Sequence, residues 1–440
     1  DAHLALGFDH DGVFPKGSTK NGGGTMEFIL SSGAVLTSFQ PGFVPTVGFI
    51  DEVGVDEDNH TDPKEYSDDF YEGITESAFG NDIPHTTHIT LHGPAEYTLN
   101  ASGTLVSDEV KDGIRTSLWE SDHPVNFFNV VAGRWSVRRG EGTAIYYHPG
   151  HEYNLDEMSA CLDGARKYYS EWFRTYPWKD LKLSEFPGLA SYAQGFATNI
   201  TFSESIGFLT KNEPESRLAF MVTAHEAAHQ WWGNILEPGK GPGGNVLSEG
   251  MAHFSTILLT EQMHGVRDRI ALCKKFESRY GDNRQVDSER PLVKLMGSRP
   301  GDTTCTYDKG GWVAWMLLNR IGREKMLAGL TEFIRRYENG PDHPVIQDFV
   351  AVMREFAPDQ ESYDEFVKQW FFQVVVPEYE VTEGSKARIV GGGDGAPTDE
   401  WEVHVTVKNK GAGRMPIEIA AARGERFPDE KAGEKAGEKS

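Results

Sequence analysis

The hydrophobic pattern of the chain changes period twice, and those two changes set its architecture. Up to about His148, short β-prone runs (Met26 to Leu30, His88 to Leu91, Asn126 to Val131, Thr143 to Tyr147) alternate with turn-rich stretches, as in an antiparallel β domain with long excursions. From Asn154 the pattern turns helical. Asn154 and Glu157 form a capping-box pair, and Met158, Cys161, Leu162, Ala165, Tyr168, Tyr169 and Phe173 follow at helical spacing. Further helical patterns cover about Ser216 to Asn234, Leu247 to His264, Val266 to Tyr280, Tyr307 to Ile321, Glu324 to Tyr337, Val345 to Phe356 and Ser362 to Phe372. After Pro377 alternation returns at Tyr379, Val381, Trp401, Val403, Val405 and Val407, then at Ile417 and Ile419, enough for part of a β-sandwich. The expected fold is multidomain α+β: an N-terminal antiparallel β domain over 1–150, a mostly helical domain over 151–375, and a small β-sandwich-like module over 376–424. Residues 51–82 read as an acidic surface insertion, and 425–440, with its repeated Ala-Gly-Glu-Lys, as a disordered tail.

Composition narrows the function. A formal net charge of −24 repels phosphate backbones, so nucleic acid is excluded as a partner. Three cysteines, Cys161, Cys273 and Cys305, are too few for a disulfide framework and leave the compartment open. The most apolar segments, such as Trp312 to Leu318, are far shorter than the ~20 residues of a membrane span, so the chain as given is expected to be soluble. It begins at Asp1 with no signal-like segment, as a processed product or an excised part of something longer would. Glycine is in excess at 48 residues, partly concentrated at Gly239 to Gly244 and Gly391 to Gly395.

The chemistry centres on Val222-Thr-Ala-His225-Glu226-Ala-Ala-His229-Gln-Trp-Trp232. Histidines at i and i+4 project from one face of a helix one turn apart, so both can bind the same Zn²⁺, with Glu226 beside it to take a proton from water. Leu218, Met221, Val222, His225, Ala228, His229 and Trp232 share one stripe, which places the histidines on the inward face. A catalytic zinc needs a third protein ligand. The acidic candidate is Glu249, at the start of the next helical pattern; Glu237 competes, but it precedes a Pro-Gly turn and is expected to face solvent.

HEAAHQWWGN, SEGMAHF and Thr306-Tyr307-Asp-Lys-Gly310, in that order, resemble the zinc aminopeptidases of the aminopeptidase N family, which are gluzincins. The order of β domain, helical domain and β module is similar too, so the resemblance covers about residues 20 to 420. It implies a thermolysin-like catalytic domain, one zinc per chain held by His225, His229 and Glu249, Glu226 as general base, Tyr307 stabilising the oxyanion, and a peptide substrate. Tyr192 to Gly207, with His151 to Asn154 upstream, look like the branch of such domains fused to bacterial ABC-type permeases. That branch implies an extracytoplasmic, membrane-tethered domain with a permease segment outside this chain.

Two departures qualify the resemblance. Where family members carry the glutamate that grips the substrate's α-amino group, this chain has Gly195, preceded by Gln194. Glu204 either substitutes for that anchor or is a structural strand-end residue. The segment Gln230 to Ser248, between the second histidine and Glu249, is one residue longer than the family pattern and glycine-rich, an insertion a loop absorbs. His253 reads as a packed core histidine more readily than as a partner of the ligands, His148 and His151 as structural turn residues, and Cys305 as a buried filler. Three readings therefore stand: an aminopeptidase-like zinc peptidase, an endopeptidase without the amino anchor, and a zinc-containing peptide- or partner-binding domain without catalysis.

Overall fold

A computed structural model describes residues 27–39, 84–211, 217–297, 299–338, 340–389 and 401–415, with a few isolated positions beside them. Apart from 77–79, the expected acidic insertion lies outside the described residues, as does the expected tail. The chain divides into two compact units, Asp1–Val367 and Lys368–Ser440.

The first unit opens with strands β1 (Phe28–Leu30), β2 (Gly33–Thr37), β3 (His88–Pro94), β4 (Thr98–Ala101), β5 (Thr104–Lys111), β6 (Ile114–Glu120) and β7 (Asn129–Gly133). They form two antiparallel sheets, ordered β1-β2-β7-β4 and β3-β6-β5, as the alternating pattern predicts. A third sheet was not legible in the pattern. Strands β8 (Ser136–Arg139) and β9 (Thr143–Tyr147) lead into helix α1 (Leu155–Trp172), followed by β10 (Leu181–Phe186), β11 (Ala193–Phe196) and β12 (Asn199–Ser203). Their order is β11-β12-β10-β9-β8, with β9, β10 and β12 parallel and the two edges antiparallel. Parallel neighbours need a crossover, and α1 supplies it between β9 and β10. Every residue of β10 is buried, because this central strand is covered on both faces, so its polar positions do not mark a solvent face. The sheet also runs across the expected boundary at residue 150.

The first and third sheets pack through Phe28, Val35, Val131 and Phe186. Beside this apolar contact, buried amides bridge the sheets: Asn100 Nδ2 donates to Ser184 Oγ (2.8 Å), and Asn129 Nδ2 to the Asn199 carbonyl (2.9 Å). Such bonds contribute only about 1 kcal/mol each, but a slip in register would leave them unpaired and cost more.

The helices follow: α2 (Leu218–Ala228), α3 (Met251–His264), α4 (Val266–Asn283), a short turn α5 (Asp302–Thr304), α6 (Gly310–Ile321), α7 (Arg323–Tyr337), α8 (Ile346–Phe356) and α9 (Gln360–Trp370). Two expectations change. Asn154 stands at the N-cap of α1, yet its side chain makes no cap bond; Nδ2 donates to the Gly207 carbonyl and to that of Thr210 (2.8 Å). The helix expected to reach Asn234 ends at Ala228, where bonds from Asn234, Ile235 and Leu236 reach five residues back. In the second unit, β13 (Tyr379–Ile389) and β14 (Trp401–Asn409) form a two-stranded antiparallel sheet.

Candidate active site

Helix α2 is buried on nearly every side rather than along one stripe. Ala219, Ala224, Ala227 and Ala228 are wholly covered, so neighbouring elements approach its backbone closely. Tyr169 of α1 donates its hydroxyl to the Ala224 carbonyl (3.1 Å), and Trp232, just beyond the helix, donates Nε1 to Ser255 Oγ on α3 (3.0 Å). These contacts fix the helix that carries His225, Glu226 and His229.

Glu249 and Tyr307 arrive by a shared device. Each sits in a π-helical turn, Val246–Gly250 before α3 and Cys305–Lys309 before α6. Such wide turns are frequent at functional sites because they push one side chain out of the regular helical row. The two turns pack at Gly250, where a Cβ would lie 3.0 Å from the Thr306 carbonyl oxygen.

His225 Nε2, His229 Nε2 and a Glu249 carboxylate oxygen form a triangle with sides of 3.1, 3.2 and 3.2 Å. Tetrahedral zinc with bonds near 2.0–2.1 Å separates its ligands by ~3.3 Å, so this donor set fits Zn²⁺ with little movement. The remaining ring nitrogens are held from behind. His229 Nδ1 donates to the Trp232 carbonyl (2.9 Å), leaving Nε2 free for the metal. His225 Nδ1 faces His253 Nδ1 at 2.9 Å, and His253 Nε2 faces Arg279 Nη2 at 3.0 Å, with Arg279 paired to Asp308. His253, expected as core packing, thus contacts His225 directly. Burial, with His225 and Arg279 beside it, holds its ring well below the usual histidine range and neutral.

Charge in the cluster is coupled. Burial opposes the charged form of His229, but Glu249 outweighs it and lifts the ring to about 9. Burial would raise the Glu249 carboxyl, yet His229 and His225 hold it well below the usual carboxylate range. Burial raises Glu226, with the two histidines pulling it down, and the Gly195 N–H donates to its carboxylate. Burial and the nearby Glu249 and Glu226 carboxylates keep the Tyr307 phenol protonated and in hydrogen-bonding contact with Glu249.

All five side chains line one cavity of about 840 Å³, together with Gln194 and Gly195. Phe39, Phe79 and Phe127 contribute an aromatic cluster to its lining, with ring centroids 5.3–6.2 Å apart. Gly195 lies so close to α2 that a Cβ would sit 2.6 Å from the Glu226 carbonyl oxygen. Glu204, expected as a substrate anchor, does not line the cavity: its carboxylate accepts the Gly188 N–H (2.8 Å) and lies beside His148, His151 and Glu185. Glu237 stands apart from the cluster of His225, His229 and Glu249, and it does not face solvent either. It is buried, bonded to Ser77 and to Asn126 (2.8 Å). Cys305 is buried, and burial pushes its thiol up to about 12. Reading the sequence singled out neither Arg279 nor Asp308, although Asp308 adjoins Tyr307.

A helix-borne HExxH pair joined by a glutamate from the turn before the following helix, in this α+β setting, fits the class of zinc metallopeptidases. Residues 153–370 match the peptidase family M1 domain. It is 24% identical over 317 residues to the puromycin-sensitive aminopeptidase of Caenorhabditis elegans, covering 65% of this chain and 31% of that one. To endoplasmic reticulum aminopeptidase 2 of Bos taurus it is 32% identical over 275 residues, covering 57% of this chain and 27% of that one. The chain thus spans about a third of the length of the curated relatives it matches. Its fold is that of the M1 zinc metallopeptidase of Deinococcus radiodurans, with a TM-score of 0.52, 19% identity, and coverage of 67% of this chain and 65% of that one. A mutant of that enzyme bound to a Tyr-Ser-Ala substrate superposes with a TM-score of 0.54 at 18% identity, covering 68% of this chain and 66% of that one. Among the described residues no helix is long and apolar enough to cross a membrane.

Proposed function

We propose that this chain hydrolyses small peptides with zinc, in an M1-type site that does not grip a free amino terminus. The observation that carries the reading is the convergence of His225, His229, Glu249, Glu226 and Tyr307 on one cavity. His225, His229 and Glu249 would hold the ion, which when bound supplies Lewis-acid polarisation of the peptide carbonyl and of water. Glu226, steadied by the Gly195 N–H, takes the proton of the attacking water and returns it to the leaving nitrogen as the C–N bond breaks. Tyr307, kept protonated, donates its hydroxyl to the oxygen that gains charge. The catalytic domain runs over about 151–375 and borrows β8 and β9 for its sheet.

Lack of an amino anchor is supported by the carboxylates of the cavity. Among its described lining residues these are Glu226, Glu249 and Asp308, and Asp308 is paired with Arg279. None is left to bind an ammonium group near Gln194 and Gly195. The phenylalanine cluster favours an apolar substrate side chain. A short peptide as substrate agrees with the tripeptide-bound Deinococcus mutant. The resemblance of Tyr192 to Gly207 supports a narrower place, as the extracytoplasmic, tethered part of a permease assembly. Recovery of the native gene product in the cytosolic fraction would refute that placement.

The decisive experiment compares matched peptides with free and acetylated amino termini. Similar kcat/KM for both is expected; a strict requirement for the free amine refutes the missing anchor. Zinc that binds while a broad peptide library stays uncut refutes catalysis altogether and leaves a binding domain.

A further inference from the structure

The parallel strands β9, β10 and β12 end side by side, and their ends gather a second group of metal-ligating side chains. The register places Tyr146 beside Ser184 and Glu185 beside Phe202, so His148, Glu185 and Glu204 emerge at the same end of the sheet. His148-Pro149-Gly150-His151 is a tight turn with a His151 N–H to His148 carbonyl bond (3.0 Å). Gly150 has φ +94°, as the third residue of such a turn requires, and the turn folds His151 back beside His148. Donor atoms of His148, His151, Glu185 and Glu204 all lie within 4.8 Å of one another.

Hydrogen bonding accounts for only part of this arrangement. Glu185, wholly buried, accepts His151 Nδ1 and the His148 N–H, both at 2.5 Å, and Glu204 accepts the Gly188 N–H. His148 Nδ1 is itself buried and faces Glu185 Oε2 at 3.4 Å, paired with that carboxylate but without the geometry of a good hydrogen bond. That separation is close to the ~3.3 Å between two ligands of one tetrahedral ion. Two carboxylates, one of them fully desolvated, also need compensating charge, which a divalent cation supplies without protonating either imidazole. Two nitrogens and two carboxylate oxygens form a donor set suited to a divalent first-row transition ion.

We infer that His148, His151, Glu185 and Glu204 form a second, structural metal site for a divalent transition ion such as Zn²⁺. It clamps the ends of three strands in the sheet whose edge strand, β11, holds Gly195 against Glu226. The site is independent of the zinc of the proposed reaction.

Zinc stoichiometry tests it. The full chain is stripped with a chelator, dialysed against buffered Zn²⁺, and its bound metal counted by mass spectrometry for the wild type, His225→Ala/His229→Ala and His151→Asn/Glu204→Gln. Two equivalents in the wild type and one in each variant are expected. Glu204→Gln alone keeps an acceptor for Gly188 and preserves the fold if the double variant does not; it is expected to weaken zinc binding at this site at least ~10-fold. Co²⁺ in the His225→Ala/His229→Ala protein is expected to show ligand-field absorption that Glu204→Gln removes. The inference is overturned if the His225→Ala/His229→Ala protein binds no zinc, or if the His151→Asn/Glu204→Gln protein binds as much as the wild type. Failure of the proposed active site looks different: a single wild-type equivalent survives His225→Ala/His229→Ala and is lost with His151→Asn/Glu204→Gln.

Discussion

Gly195→Ala adds a single methyl group at the tightest point between the third sheet and the proposed catalytic helix. Its Cβ would start 2.6 Å from the Glu226 carbonyl oxygen and 2.8 Å from His229 Cβ, whereas ordinary contact begins at 3.4 Å. Relief therefore takes a displacement of about 0.6 to 0.8 Å, and no flexible side-chain end is there to absorb it. Either β11 moves away from α2, or Glu226 and His229 move with their helix. Overpacking of this kind costs ~1–3 kcal/mol of stability. It also stretches the Gly195 N–H bond to Glu226 and the bond from Asn234 Nδ2 to the Gly195 carbonyl, 2.7 Å long. A misplacement approaching 1 Å lowers turnover by ~100-fold. Urea unfolding, zinc content and peptide hydrolysis, measured on the same preparations, separate the two losses. Gly281→Ala is the control: it lies in α4 with nothing within 4 Å of its Cβ, and should be neutral or stabilising. If Gly195→Ala unfolds within ~0.5 kcal/mol of the wild type, as an unobtrusive surface change would, and keeps most of its activity, the close-packing argument is wrong. By the same reasoning Gly195→Glu does not restore a family-type amino anchor, because the backbone leaves no room for its first carbon.

The other expectations are simpler. Glu226→Gln should retain zinc while hydrolysis falls ~10²–10⁴-fold; loss of metal along with activity would assign the residue a structural role. Tyr307→Phe should lower kcat ~10²–10³-fold with little change in KM, and unchanged kcat would remove its hydroxyl from the reaction. His253→Ala should weaken zinc binding ~10–100-fold in a chelator competition, since it frees the back of His225; unaltered affinity would return His253 to core packing. Lys182 lies 4.8 Å over the Trp119 ring with its ammonium at the Gly103 carbonyl, and burial lowers it to about 7 against the pull of Asp180 and Asp122. The unfolded chain then binds more protons between about pH 7 and 10.5, so stability rises with pH across that window, by at most ~4–5 kcal/mol. Lys182→Met should flatten that rise in urea unfolding, and an unchanged pH dependence would refute the buried charge.

Elements with one exposed face were legible in the sequence because period and burial agree. The amphipathic α1 and α7 are found where the apolar spacing places them. Strand β10 is the opposite case. Leu-Lys-Leu-Ser-Glu-Phe alternates in the sequence, yet all six residues are buried, with Lys182, Ser184 and Glu185 each bonded internally. Polar residues that a pattern assigns to solvent here serve contacts between distant segments, and no local rule reveals such partners. Helix α2 shows the same limit, since burial on all sides erases the stripe that would mark its face.

Similar logic divides the site. His225, Glu226 and His229 are legible because helix geometry alone brings i and i+4 together. Glu249 needs only the assumption that the next helix supplies the third ligand. Tyr307 rests on a motif, because its approach depends on two π-helical turns packed through Gly250, a feature with no signature in spacing. His253 is ambiguous in the sequence for a related reason. One turn beyond Glu249 it is equally placed for packing or for support, and the choice is made by Arg279, from α4, and by Asp308, from the turn before α6. Glu204 is the most instructive case. Its sequence position suggests substrate contact, but the parallel pairing of β10 and β12 carries it to the strand ends, where Glu185, His148 and His151 already converge. The residue that stands away from the cavity is therefore the one that completes the second cluster, and only the sheet order, which the sequence does not show, connects those two facts.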